Sequence, residues 1–88
     1  MPYVNQVVRQ TFEPELSRLR LLMDGGSIQP GDLNYVITAL VKSYLGPTPG
    51  YTRYNAAIGV LECAKLEVYR KWVAPYEDVK AAENGEIE

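Results

Sequence analysis

Apolar and polar positions alternate with a helical period through most of the chain, and the breaks fall at glycine and proline. Asp24-Gly25-Gly26-Ser27, Gln29-Pro30-Gly31, Gly46-Pro47-Thr48-Pro49-Gly50 and Asn84-Gly85 divide the sequence into helical pieces. Pro2 to Arg9 reads as a short turn or helix. A better-defined helix is predicted from Glu13-Pro14-Glu15, with the proline in the first turn where its missing N–H costs nothing, to about Met23. Leu16, Leu19, Leu22 and Met23 form its apolar stripe.

A second helix is predicted from Asp32, as N-cap, to Leu45. Gly46 closes it and Pro47 prevents its continuation. Leu33, Val36, Ile37, Leu40, Val41 and Tyr44 share its core face, while Asn34, Thr38 and Lys42 recur every four residues on the other side. A third and longer helix, the spine of the fold, is predicted from about Thr52 to Val73, roughly 33 Å at 1.5 Å per residue. Tyr54, Ala57, Leu61, Ala64, Val68 and Trp72 lie on one face. The stretch Ala56 to Leu61 is apolar around nearly its whole circumference, as in a helix covered on both sides, so a second surface is expected there. Gly59 weakens a helix interior by about 1 kcal/mol relative to Ala, which a close approach by a subunit or ligand would explain. After Ala74-Pro75, residues Tyr76 to Lys80 are read as one further helical turn.

The expected fold is therefore all-α: a small three-helix domain over residues 1–82 with a long C-terminal spine, followed by a disordered acidic tail over 83–88. An 88-residue chain buries only about 60% of its unfolded surface, so a homo-oligomeric helical bundle is the expected assembly. Residues 1–80 hold nine basic and eight acidic side chains, whereas the tail adds Glu83, Glu86 and Glu88 without a base. That balance lacks the basic footprint of a duplex nucleic-acid binder. No apolar run approaches the roughly 20 residues of a membrane span, and the N-terminus lacks a signal-peptide pattern, so a cytoplasmic protein with no membrane partner is expected. Cys63, flanked by Leu61, Ala64 and Leu66, reads as a buried thiol.

The absence of histidine removes the commonest general base and transition-metal ligand, and a single cysteine excludes thiolate zinc clusters. Neither phosphate-binding glycine motif is present, and Glu62 and Glu67, about 140° apart around their helix, do not converge on a magnesium ion. A non-enzymatic protein is expected, without catalytic residues, metal site or cofactor. The compositional anomaly is seven tyrosines, each a flat apolar body with a polar tip that suits interfaces and planar ligands. Tyr51 and Tyr54 flank Arg53, Asn55 follows, and Tyr69-Arg70-Lys71 lies near the end of the spine. A nucleobase stacks on such rings while Arg or Lys holds phosphate and Asn reads a base edge. Against this, Tyr44 and Tyr54 fit packing positions, Trp72 fits the core and Arg70-Lys71 fits a solvated face. Glu62 has two readings of equal weight: an exposed pair with Lys65 worth tenths of a kcal/mol, or a carboxylate holding a basic group across a subunit interface.

Asp32-Leu33-Asn34-Tyr35-Val36-Ile37-Thr38, the block Tyr54-Asn55-Ala56-Ala57-Ile58-Gly59-Val60-Leu61-Glu62-Cys63-Ala64-Lys65-Leu66-Glu67-Val68-Tyr69-Arg70-Lys71 and Ala74-Pro75-Tyr76-Glu77-Asp78 with Asn84-Gly85 resemble a family of short uncharacterised helical proteins encoded by bacteriophages and prophages. The resemblance covers most of the chain, names a lineage and implies no activity or site residues. It implies a bacterial host cytoplasm. Compact phage proteins of this size are often oligomeric binders, including sponges that sequester nucleotide-derived immune signals, an analogy independent of fold. The leading expectation is such an anti-defence sponge, holding a small anionic nucleotide-like ligand in inter-subunit pockets lined by Asn34, Thr38, Arg53, Tyr54, Asn55, Glu62, Lys65, Tyr69 and Arg70. The alternatives are an interaction module that inhibits or redirects a host or phage enzyme through its tyrosine-rich face, and a structural or assembly factor.

Overall fold

The computed structural model describes residues 2–87 and is all-helical among them. Helix α1 spans Gln6–Met23, α2 Pro30–Leu45 and α3 Tyr51–Val68. A π-helical turn at Tyr69–Val73 then leads without a break into α4, Ala74–Asn84. Three rods result, since α3, the π turn and α4 form one continuous helix. At 1.5 Å per residue the run from Tyr51 to Asn84 extends about 50 Å, which is the long dimension of the molecule, 50 × 33 × 29 Å.

Local chemistry explains where the rods differ from their sequence prediction. Helix α1 begins at Gln6 rather than at Glu13. Asn5 caps it, its Oδ1 accepting from the Val8 N–H at 3.0 Å, and Arg9 Nε donates to the Val4 carbonyl at 2.7 Å. Pro14 consequently sits inside the helix, where it removes a backbone bond. Helix α2 begins two residues before Asp32, because Gln29 is the N-cap and Asp32 reaches back from the first turn to accept from the Gln29 N–H at 2.9 Å. Gly46, with φ of 75°, ends it as expected.

The spine does not stop at Val73. Pro75 lacks an N–H for the carbonyl four residues back and its ring presses on that carbonyl. The wider π turn relieves this, with the Ala74 N–H bonded to the Tyr69 carbonyl five residues back. Helix then continues to Asn84, so Glu83 and Asn84 belong to it and not to a disordered tail. Gly85, at φ 93°, ends the rod. Glu88 lies outside the described residues.

Tertiary packing is sparse. Helices α2 and α3 form an antiparallel hairpin across Gly46–Gly50 with Leu40, Val41 and Tyr44 facing Ala57 and Val60. Among the described residues Ala57 is the one buried residue. Leu61, Val36 and Val41 are half-buried, whereas Tyr54, Val68 and Trp72 of the expected core stripe are exposed, Trp72 by 63%. Cys63 is exposed, not buried. No α1 Cα comes within 8 Å of another helix. The radius of gyration is 16.7 Å, against about 12 Å for a compact chain of this length. The reason is geometrical: a 50 Å rod and two shorter ones offer one line of contact, too little for an 88-residue chain to cover both sides of its spine.

Candidate functional site

The nine residues expected to line a pocket fall into four separate groups. Asn34 and Thr38 lie one turn apart on α2, and the Thr38 hydroxyl donates to Asn34 Oδ1 at 3.1 Å. They satisfy each other along their own helix.

Arg53, Tyr54 and Asn55 occupy the first turns of α3, at the other end of the hairpin. Arg53 Nε donates to the Tyr44 carbonyl at 3.0 Å, and its guanidinium carbon lies 4.3 Å from the centre of the Tyr44 ring. A cation there satisfies a free carbonyl of α2 and complements the negative end of that helix. Among the described residues Arg53 has no carboxylate partner, so its terminal nitrogens remain available. Tyr54 and Asn55 are exposed beside it.

Glu62 and Lys65 form an ion pair at 3.0 Å, with side chains 56% and 68% exposed. Within the chain this is the ordinary surface pair of the two readings. A Cβ added at Gly59 would meet nothing within 4 Å, so among the described residues none makes the close approach that its presence invited.

Tyr69 and Arg70 stand at the start of the π turn. The Glu77 carboxylate beside the Tyr69 hydroxyl, with Asp78 behind it, raises Tyr69 above the ordinary phenol value. Arg70 is engaged: its Nη2 donates to Glu67 Oε1 at 2.7 Å and to the Tyr3 hydroxyl at 3.4 Å, and Tyr3 in turn donates to the same Glu67 oxygen. Hydrogen bonds from Tyr3, then from Arg70, hold Glu67 below the usual carboxylate range, while Glu67 raises Tyr3. This three-residue junction fastens the N-terminal segment to the spine. Sequence reasoning missed Tyr3 and Glu67, and no local signal marks them, since they stand 64 positions apart.

The structure thus keeps all nine residues accessible and does not gather them within one chain. Of the nine, Tyr69 alone lines one of the principal cavities, a shallow one against α4. Cavities with more apolar walls belong to the N-terminal segment, α1 and the hairpin, the one against α1 being lined also by Arg9, Glu13, Glu15 and Arg20. No group of three His, Cys, Asp or Glu residues placed to hold a metal ion occurs among the described residues. Among the described residues no helix is long and apolar enough to cross a membrane. A family model described as "Domain of unknown function (DUF6899)" matches residues 1–87. Comparison with curated proteins and with solved structures gives no match.

Proposed function

We propose that this chain, which belongs to the DUF6899 family, is a non-enzymatic helical protein that works by binding, as a homo-oligomer, with a small anionic nucleotide-like ligand held between copies. One observation carries the reading. The chain exposes 7870 Å², whereas a compact monomer of 9.9 kDa exposes about 5,200 Å². Surface of that extent on a folded chain is surface for another molecule. The nine polar residues lie exposed on the same rods, so pockets between copies are where they would meet.

Arg53 is the cation best suited to an anion, because its planar fork is steadied by Tyr44 and unclaimed by a carboxylate. Lys65 and Arg70 are each already engaged by glutamate. A phage or prophage origin, action in a bacterial host cytoplasm and sequestration of an immune signal belong to this proposal. The second reading, a module that docks on an enzyme, is favoured by the chemistry of the exposed surface, which is largely apolar and aromatic: Ile58, Val60, Trp72 and Tyr76 are all more than half exposed.

Titration calorimetry of the full chain against a panel of cyclic oligonucleotides and cyclic ADP-ribose isomers tests the ligand. Saturable binding that weakens at least tenfold in Arg53→Gln is expected. No heat with any compound, from protein shown to be folded, overturns the small-molecule reading.

A further inference from the structure

Three cavities share walls. A space of about 480 Å³ opens between the N-terminal segment, Phe12 and Leu16 of α1, and Leu40 of α2. Leu40 also borders a 240 Å³ groove between α2 and α3, floored by Ala57 and walled by Tyr44 and Val60. Val60 borders a third, 130 Å³, with Cys63, Ala64 and Pro2, and Pro2 returns to the first. The first lies between α1 and α2 and is also lined by the charged Arg9, Glu13, Glu15 and Arg20; the other two adjoin it through Leu40 and Pro2, and together they make a wedge beside α1 and the hairpin with mostly apolar walls.

Helix α1 is itself short of a partner. Phe12, Leu16, Leu19 and Met23 recur at intervals of four, three and four, which places them on one face. Phe12 and Leu16 are exposed and the other two half-buried. An isolated 18-residue helix with an internal proline is marginal in water, since helices of this length draw their stability from packing an apolar face.

We propose that the wedge is the seat of α1 from a second copy of this chain. One wall of the wedge is α1, so a two-fold axis would place α1 against α1 and lodge each against the other copy's hairpin, giving a closed and self-complementary interface. The area agrees. Each chain exposes about 2,700 Å² beyond a compact monomer, and burying it from two chains reaches the several thousand Å² of obligate homodimers. The proposal rests on the binding reading only for the premise that copies associate, and it adds which helix docks and where.

The test uses the intact chain. Sedimentation equilibrium of the wild type across micromolar concentrations should give an oligomer with even subunit number. Cys63, which lines the wedge and is exposed in the single chain, should react with a maleimide about tenfold more slowly in the oligomer than after dilution to monomer. Leu16→Glu and Leu40→Glu should each halve the mass or reduce it further and restore the fast Cys63 reaction. A helical wild type that sediments as a monomer overturns the docking and its premise together. An oligomer in which Cys63 reacts at the monomer's rate, or in which helical Leu16→Glu keeps its mass, overturns the placement of α1 and leaves association standing. A dimer that meets every criterion yet binds no nucleotide overturns the ligand reading alone.

Discussion

The α2–α3 hairpin and the α1 arm are both built from helices with apolar surface to cover, a single stripe on α1 and α2 and most of the girth of α3, yet they are held in different ways. The hairpin has a short glycine-bounded connection, a buried floor at Ala57 and a clasp in which Arg53 grips the end of α2 through Tyr44. The arm has a well-capped helix but no helix packed against it, and reaches the rest of the chain chiefly through Tyr3 at the Glu67–Arg70 pair. Good local structure does not by itself supply a tertiary partner. An apolar stripe on a helix states that something will cover it, without saying whether that something lies in the same chain.

Charging the hairpin floor should give the largest effect. Ala57→Asp puts an unpaired carboxylate at the one buried position, where α2 and α3 meet, and should cost about 3 kcal/mol of stability in chemical denaturation. A change on the arm, Leu21→Ala at a residue 77% exposed and off the Phe12–Leu16–Leu19–Met23 face, should stay within about 0.5 kcal/mol. Equal losses at the two sites would erase the contrast.

Next in size is the cap of the arm. Asn5→Ala removes the acceptor for the Val8 N–H and should cost about 1 kcal/mol, read as lower helicity and faster amide exchange at the start of α1, with the hairpin amides unaffected.

The smallest effect sharpens the comparison most. Tyr3→Phe should release the N-terminal segment from the spine, seen as faster exchange around residues 3–9, and should return the Glu67 titration toward its ordinary value, seen by NMR. The junction also sets a pH window. Glu67 is depressed from 4.5, so its contribution is present above that value and fades as pH falls through the folded-state value. Tyr3 is raised from 10.0, so its contribution is present below 10.0 and fades as pH rises through its folded-state value. Attachment of the arm should therefore hold through neutral pH and loosen at both extremes, while the Arg53–Tyr44 clasp of the hairpin stays in place under acid.

Particular residues show how legible the molecule was. Gly46 ended α2 where its sequence required, because a φ of 75° is a backbone property that glycine alone adopts freely. Pro75 gave the opposite lesson: proline reads as a stop, but a helix with room to widen absorbs it as a π turn, and Pro14, which reads as a start, falls inside α1 because the helix begins at the Asn5 cap. Trp72 was expected inside from its helix face and Cys63 from its neighbours, yet burial depends on what lies opposite, and both are exposed. The apolar girth of Ala56 to Leu61 was read as a helix covered on both sides; in the chain Ala57 is buried against α2 while Ile58 and Val60 stand exposed.

Sequence by itself determined three helical rods, the glycine that ends α2, the excess of apolar surface and the mixture of exposed Tyr, Arg and Asn. Those follow from hydrophobic period and turn chemistry, which act over a few residues. Only the tertiary structure decided that Tyr3 meets Glu67 and Arg70, that Arg53 is fastened to α2, that the nine polar residues stand apart, and that α1 and the hairpin leave a wedge open. Contacts across dozens of residues depend on how rigid rods are aimed by short connections, and that aim is set by the sum of many weak contacts and written in no local pattern.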